Sequence, residues 1–258
     1  MSSNPGIRQW CGRRVWVIGA SSGIGAATAS TLLERGAHVA LSARREEPLR
    51  GIAAGHEDRA RVVPFDATDP EAWASAAKAI LEQWERIDLA IFMVADYRPL
   101  RAWQLEAPIA EQLIRSNLIT VTHGLSVLVP RLLAQGSGGI ALTASAAGYG
   151  GLPHALVYGP TKAGLINLAE ALYLDLHPRG VAVTVINPGF VRTALTARNT
   201  FPMPGLLEPD EAAQRIVRGL EQGRFEIAFP RRLVWPLKLL RLLPRRLYLP
   251  LVRWMTGA

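Results

Sequence analysis

The stretch VWVIGASSGIG, residues 15–25, sets an uninterrupted apolar run against three glycines, Gly19, Gly23 and Gly25, in a G-x-x-x-G-x-G spacing. A run with no polar alternation reads as a strand covered on both faces. Beyond the turn, residues 23–35 continue as a helix that Gly36 ends. The same succession recurs along the chain. Apolar runs at 15–20, 38–43, 61–66, 88–95, 138–145, 181–189 and 225–230 predict seven strands. Segments near 23–35, 69–85, 107–134, 157–177 and 209–222 predict helices between them, with Asp69-Pro70 starting one and Gly180 following another. Such alternation implies an α/β fold, a doubly wound parallel sheet with helices on both faces and ligands at the carboxyl ends of its strands. No internal repeat or low-complexity segment interrupts it.

With 258 residues, 49% hydrophobic and 19% charged, the chain is long enough for one large core and does not demand two. The one composition break falls near Pro230, where acids stop and leucine and arginine take over. The expected division is a catalytic-sized domain over 1–230 and a basic amphipathic tail over 231–258. Of the formal net charge of +8, Arg231, Arg232, Lys238, Arg241, Arg245, Arg246 and Arg253 contribute seven, leaving 22 basic against 21 acidic side chains in the first 226 residues. So neutral a body offers no basic groove for nucleic acid. The single cysteine, Cys11, cannot form an intramolecular disulfide, and the opening MSSNPGIRQWCGRR lacks the apolar stretch of a secretory signal. A reducing cytoplasm is the expected compartment.

A glycine turn between strand and helix lets a pyrophosphate approach the backbone, where the helix dipole and free N–H groups stabilise its charge. Gly19, Ser21, Ser22, Gly23, Ile24 and Gly25 are the candidate contacts, the plain alternative being a tight turn. The second strand ends LSARREE. Where an NAD site would present an acid to the adenosine ribose, this chain has Ala43, then Arg44 and Arg45. A guanidinium can hold a 2′-phosphate through two hydrogen bonds, so NADP(H) is the better fit, against the alternative of a solvated charge run. In FDATD, Asp66 and Ala67 are placed at the end of the third strand. Asp66 either bonds an adenine amino group or serves its own turn.

The stretch TASAAGYGGLPHALVYGPTKAGL, residues 143–165, carries Ser145, Tyr158 and Lys162. Four apart on a helix, Tyr158 and Lys162 share a face, so an ammonium can lie beneath the phenol and favour its ionised form. Ser145, at the end of another strand, can donate to the same substrate oxygen. Together with the glycine turn, Asn117 of RSNL and NPGFVRT (187–193), these residues resemble the short-chain dehydrogenase/reductase family in order and separation, over residues ~13 to 230 as one Rossmann domain. The resemblance implies Tyr158 as general acid/base, Lys162 lowering its pKa and binding the nicotinamide ribose, Ser145 orienting the carbonyl oxygen and Asn117 holding the water of a proton relay. It also places Ala95, Pro188, Gly189, Val191 and Thr193 beside the cofactor, and calls for no metal. One departure stands out: where the family commonly has Asn-Asn-Ala-Gly after the fourth strand, this chain has Phe92-Met93-Val94-Ala95. Two polar side chains near the adenosine are then expected to be apolar, altering cofactor fit.

By the same resemblance, substrate choice rests with ALTARNTFPMPGLLEPDEA after the sixth strand, where Phe201, Met203, Leu206 and Leu207 are expected to form an apolar lid, or merely a connector. The implied reaction is NADP(H)-dependent interconversion of a ketone or aldehyde with an alcohol, acting on a small hydrophobic or lipid-like carbonyl substrate. The alternative is a non-enzymatic nicotinamide-nucleotide sensor docked on a membrane or protein. Pairing as a homo-dimer or homo-tetramer through 107–134 and 157–177 is expected from the resemblance. In the tail, PLKLLRLLPRRLYLPLVRW (236–254), Lys238, Arg241 and Arg245 fall within about 60° on a helical wheel, with Leu237, Leu239, Leu240 and Leu243 on the other side. Pro236, Pro244 and Pro250 are expected to kink or divide it, and Trp235, Tyr248 and Trp254 suit a headgroup boundary. Three readings follow: peripheral contact with an anionic membrane, packing over the substrate cleft or a neighbouring subunit, or contact with nucleic acid or another partner.

Overall fold

The computed structural model describes residues 3–257, so the outer limits expected for the two segments, residues 1 and 258, lie outside the described residues. Its centre is a seven-stranded sheet of β1 (Arg14–Ile18), β2 (His38–Ser42), β3 (Ala60–Val62), β4 (Leu89–Phe92), β5 (Gly138–Thr143), β6 (Val181–Pro188) and β7 (Glu226–Phe229). The order is β3-β2-β1-β4-β5-β6-β7, every pair parallel. Alternate residues of one strand serve opposite layers. Trp16 and Ile18 join Trp73, Phe92, Leu128 and Leu165 on one face. Val15 and Val17 join Leu32, Leu33, Ile216 and Val217 on the other. Each such aliphatic side chain contributes about 1.5–3 kcal/mol on burial.

The first layer is built by α3 (Ala72–Trp84), α5 (Thr120–Gln135) and α6 (Tyr158–Leu176), the second by α1 (Gly23–Glu34) and α7 (Pro209–Glu221), with α2 (Glu46–Ala53) and α4 (Ala107–Ile114) at the margins. Because the chain runs outward from β1 to β3 and returns as β4 on the other side, the carboxyl ends of β1 and β4 border the crevice where such sheets take ligands.

Several expected boundaries move. The third strand, expected over 61–66, stops at Val62, before a proline at 64 that cannot donate to the ladder. The helix α2 was not among those expected, being short and carrying Pro48 and Gly51, yet Pro48 falls in its first turn, where no N–H is needed. The expected helix over 107–134 is interrupted by a π-turn at Arg115–Ile119. In the tail only Pro244 separates helices: α8 (Arg231–Arg241) and α9 (Arg245–Thr256) each keep a proline inside. The single leucine face expected there is split, since Leu240 is buried and Leu239 exposed.

Candidate active site

Gly19 leaves β1 with φ +95°, and a Cβ there would stand 2.8 Å from the backbone carbon of Met93. A Cβ on Gly25 would meet the Gly19 carbonyl oxygen at 2.1 Å. The turn therefore packs backbone on backbone against the end of β4, which only glycine allows. Ser22 caps α1 without a side-chain hydrogen bond, and no acid lies in the first turn. Open N–H groups and the positive end of the helix dipole are left beside Ser21, Ile24 and the glycines. Thr193 closes the far side, its methyl against Gly23. The Ser42 carbonyl accepts from Gly19 N at 2.7 Å, tying β2 to the turn. Arg44 and Arg45 follow at once, both exposed and, among the described residues, without a hydrogen bond or ion pair. A cradle that a Cβ would fill, an unsatisfied helix N-terminus and two uncommitted guanidinium groups fit a dinucleotide.

Other expected contacts are placed differently. Asp66 lies beyond the end of β3, and its Oδ1 accepts from Thr68 N at 2.9 Å and Thr68 Oγ1 at 2.8 Å, so that oxygen serves its own turn. The Ala67 carbonyl accepts from Trp73 Nε1 at 2.9 Å. Phe92 does not face an adenosine site: it is buried and stacks on Trp73 with ring centroids 5.7 Å apart. Its side chain points into the first layer because β4 alternates there. Met93 takes the other direction, its sulfur accepting from Thr143 Oγ1 at 3.0 Å, and Ala95 leads on into the loop. Pro188 and Gly189 leave β6 under α8, where a Cβ on Gly189 would strike Leu233 at 2.6 Å. Val191 is buried and pairs with Leu207, so Leu207 belongs to the core rather than to a lid.

At the chemical end, Tyr158 opens α6 and Lys162 follows one turn later. Lys162 is fully buried, its Nζ 5.6 Å from the Tyr158 ring centroid and donating to the Thr143 carbonyl at 2.8 Å. Among the described residues no carboxylate pairs with it, and burial pulls its pKa down to about 7. Ser145, just past β5, accepts from Ala147 N at 3.1 Å and stands 3.5 Å from the Pro188 carbonyl. Burial pushes the Tyr158 hydroxyl up to about 12, a hydrogen bond with Ser145 pulls back, and Tyr97 adds upward. The phenol expected to ionise near neutrality is instead held protonated here, because burial raises it and the opposing pull comes from Ser145. Tyr158 keeps its proton at pH 7, which suits an acid. Asn117 sits in the π-turn, fully buried, its Nδ2 donating to Asp96 O and its Oδ1 accepting from Asp96 N, both at 2.8 Å. Its amide clamps the loop after β4.

Neighbours from the loops after β4, β5 and β6 complete the site. Tyr97 meets Tyr158 edge-on at 4.9 Å and donates to Asn199 Oδ1 at 2.9 Å, while Arg198 donates to the Tyr97 carbonyl at 2.7 Å. The segment after β6 is thereby held against the loop after β4. Phe201 stacks on His154 at 5.4 Å and meets Phe190 at 6.1 Å, and Met203 sulfur accepts from Asn199 Nδ2 at 3.3 Å, so part of the expected apolar lid is present. His154 itself has φ +63°, a left-handed conformation uncommon for histidine. Asn199, Phe201 and Met203 lie in the expected lid segment, whereas Tyr97 and His154 come from separate loops that share no motif.

The comparisons with known proteins agree with this geometry. The family model described as short chain dehydrogenase matches residues 13–202. An uncharacterized oxidoreductase of Myxococcus xanthus (strain DK1622) is 32% identical over 239 residues, 92% of this chain and 94% of that protein. Among solved structures, a short chain dehydrogenase/reductase from Burkholderia phymatum in complex with NAD superposes with a TM-score of 0.81 at 22% identity, covering 90% of this chain and 94% of the other. An actinorhodin polyketide ketoreductase variant with NADPH gives 0.78 at 21% identity, covering 86% and 97%. Sheet order, glycine turn, the Ser145–Tyr158–Lys162 cluster and the family match converge: this chain belongs to the short-chain dehydrogenase/reductase family of oxidoreductases.

Proposed function

We propose that the protein is an NADP(H)-dependent reductase of ketones or aldehydes, working on a hydrophobic or lipid-like carbonyl compound. The carrying observation is a half-buried Tyr158 that keeps its proton, lying beside Ser145 and above a fully buried Lys162. When bound, the nicotinamide supplies or accepts the hydride. Ser145 and Tyr158 present two hydroxyls to one carbonyl oxygen, and Tyr158 delivers the proton there so that no free alkoxide has to form. Lys162, anchored on Thr143 O, stands below the ring to offset the negative charge that proton loss leaves on Tyr158. Asn117 fixes the loop that carries Tyr97. Phe190, Phe201 and Met203 supply the apolar wall, which favours a hydrophobic substrate.

The preference for NADP(H) rests on Arg44 and Arg45 standing where an acid would repel a 2′-phosphate. The test is oxidation of NADPH against NADH by the purified protein on ketones and aldehydes of increasing chain length. Turnover with NADPH that improves with length supports the reading. Tight NADPH binding with no turnover on any of them favours the sensor alternative. The exposed Cys11 thiol suits a cytoplasmic protein. Exposed Ile114 and Leu174, on α4 and α6, favour homo-dimer or homo-tetramer assembly through those helices, which light scattering would measure.

A further inference from the structure

The helices α8 and α9 bury one face and leave a second apolar face open. Inward, Leu240, Tyr248 and Val252 form their own buried cluster with Leu152, Leu237 and Leu251. Tyr248 Oη donates to the Gly151 carbonyl at 3.1 Å, and Lys238 pairs with Glu226 of β7. Core packing is thus satisfied from this side. Outward, Trp235 is 58% exposed, Leu239 59% and Leu242 81%, three side chains within an arc of about 60° on α8 and the residue that caps it. Arg231 and Arg232 bracket that stripe, both exposed. Across Pro244, Leu247 and Trp254, the latter 79% exposed, continue the apolar surface on α9 beside Arg246. Soluble monomers rarely present a contiguous face of this composition without a use for it.

We propose that this outward face is a docking surface for an anionic lipid bilayer, on which the protein lies without spanning it. Charge decides among the occupants. The segment 227–258 has seven cations and no acid. A second copy seated through a two-fold axis would bring Arg231, Arg232 and Arg246 against their own counterparts, like charge on like charge, whereas phosphate headgroups complement these exposed arginines. Leucine and tryptophan side chains projecting past arginines match the depth order of a headgroup boundary, apolar groups below and guanidinium groups at phosphate level. The Lys238–Glu226 pair and the Tyr248–Gly151 hydrogen bond hold the face rigid relative to the sheet. The inward side of the same two helices packs on the 149–152 loop, which precedes Tyr158 in the chain.

The test is co-sedimentation of the full chain with phosphatidylcholine vesicles alone and with phosphatidylcholine–phosphatidylglycerol vesicles. Binding is expected to the anionic vesicles only, and to weaken as salt rises. Trp235→Ser/Leu239→Ser/Trp254→Ser lowers the partition constant by at least about tenfold, since three apolar side chains no longer leave water. Arg232→Gln and Arg246→Gln each lower it about fivefold. Where the triple variant melts earlier than the parent, the two arginine variants, measured with an unchanged melting midpoint, decide instead. Absence of binding to anionic vesicles at low salt overturns the proposal, as does equal binding to both vesicle types or full retention by the variants. A fall in oligomeric mass of the triple variant, with no vesicle binding by the parent, assigns the face to a second copy.

Discussion

Two tyrosine–lysine pairs stand in this molecule nine residues apart in their tyrosines. At Tyr158 the partner is Lys162, its Nζ 5.6 Å from the ring centroid; at Tyr149 it is Lys238, 5.3 Å away. Geometry alone scarcely separates them. The difference lies in what neutralises each cation. Lys238 forms an ion pair with Glu226, whose Oε1 also accepts from Tyr149 Oη at 2.6 Å and Asn187 Nδ2 at 2.8 Å. Burial by itself would raise the pKa of Glu226, but hydrogen bonds from Lys238, Tyr149 and Asn187 outweigh it and hold the carboxyl below its usual range. Tyr149 is pushed far up by burial and by that carboxylate. Every charge there has a partner, and the pair acts as a clamp between α8 and the sheet. Among the described residues Lys162 has only a carbonyl oxygen, a costly way to bury a cation that folding alone would not favour. A protein keeps such an arrangement where the charge has work in a reaction.

That contrast can be broken from either side. Tyr158→Phe removes the proton donor and is expected to reduce carbonyl turnover by about 10²- to 10⁴-fold while leaving dinucleotide binding in place; steady-state rates paired with a fluorescence titration check both halves. Tyr149→Phe, carrying the same deletion into the clamp, should leave turnover within a few-fold, and a comparable loss at both tyrosines would dissolve the distinction. Glu226→Gln is expected to destabilise the fold by about 1–3 kcal/mol, since a partly buried charged acceptor with three partners is lost, measured by denaturant unfolding. In the parent this contribution is present at neutral pH and fades in acid as Glu226 protonates, because its folded pKa lies below the unfolded one.

Lys162 should show the opposite behaviour. Its folded value near 7 is below the ordinary 10.5, so between those pH values the unfolded chain binds a proton that the folded chain does not. Stability attributable to Lys162 therefore climbs with pH across that window, at up to about 1.4 kcal/mol per pH unit. Lys162→Met should flatten the climb in pH-dependent melting curves; an unchanged slope would mean that the ammonium is balanced after all. The smallest effect belongs to Tyr97→Phe, which forfeits the hydrogen bond to Asn199, a loss of about 1 kcal/mol, and should loosen the lid enough to raise KM with little change in kcat.

Legibility followed distance along the chain. Both Tyr158 and Lys162 sit one helical turn apart, so a local spacing revealed them, and the glycine turn declared itself in seven consecutive residues. By contrast, Tyr97, Asn199, His154 and Phe201 meet from three loops, and no local pattern could bring them together. The role of Phe92 depended on which side of β4 it faced, which one residue of register decides. The clamp was likewise invisible, because Glu226, Tyr149 and Lys238 lie on a strand end, a loop and a tail helix.

By itself, the amino-acid sequence determined the architecture, the dinucleotide turn, the Ser145, Tyr158 and Lys162 set and the concentration of positive charge after Pro230, because each is written in periodicity, spacing or composition over short range. Only the tertiary structure decided which protons are held, since burial is the largest cause acting on both Tyr158 and Lys162. It alone decided that the tail has two apolar faces rather than one, because burial against Leu152 and Gly151 selects Leu240 and Tyr248 for the core and leaves Trp235, Leu239 and Leu242 turned outward.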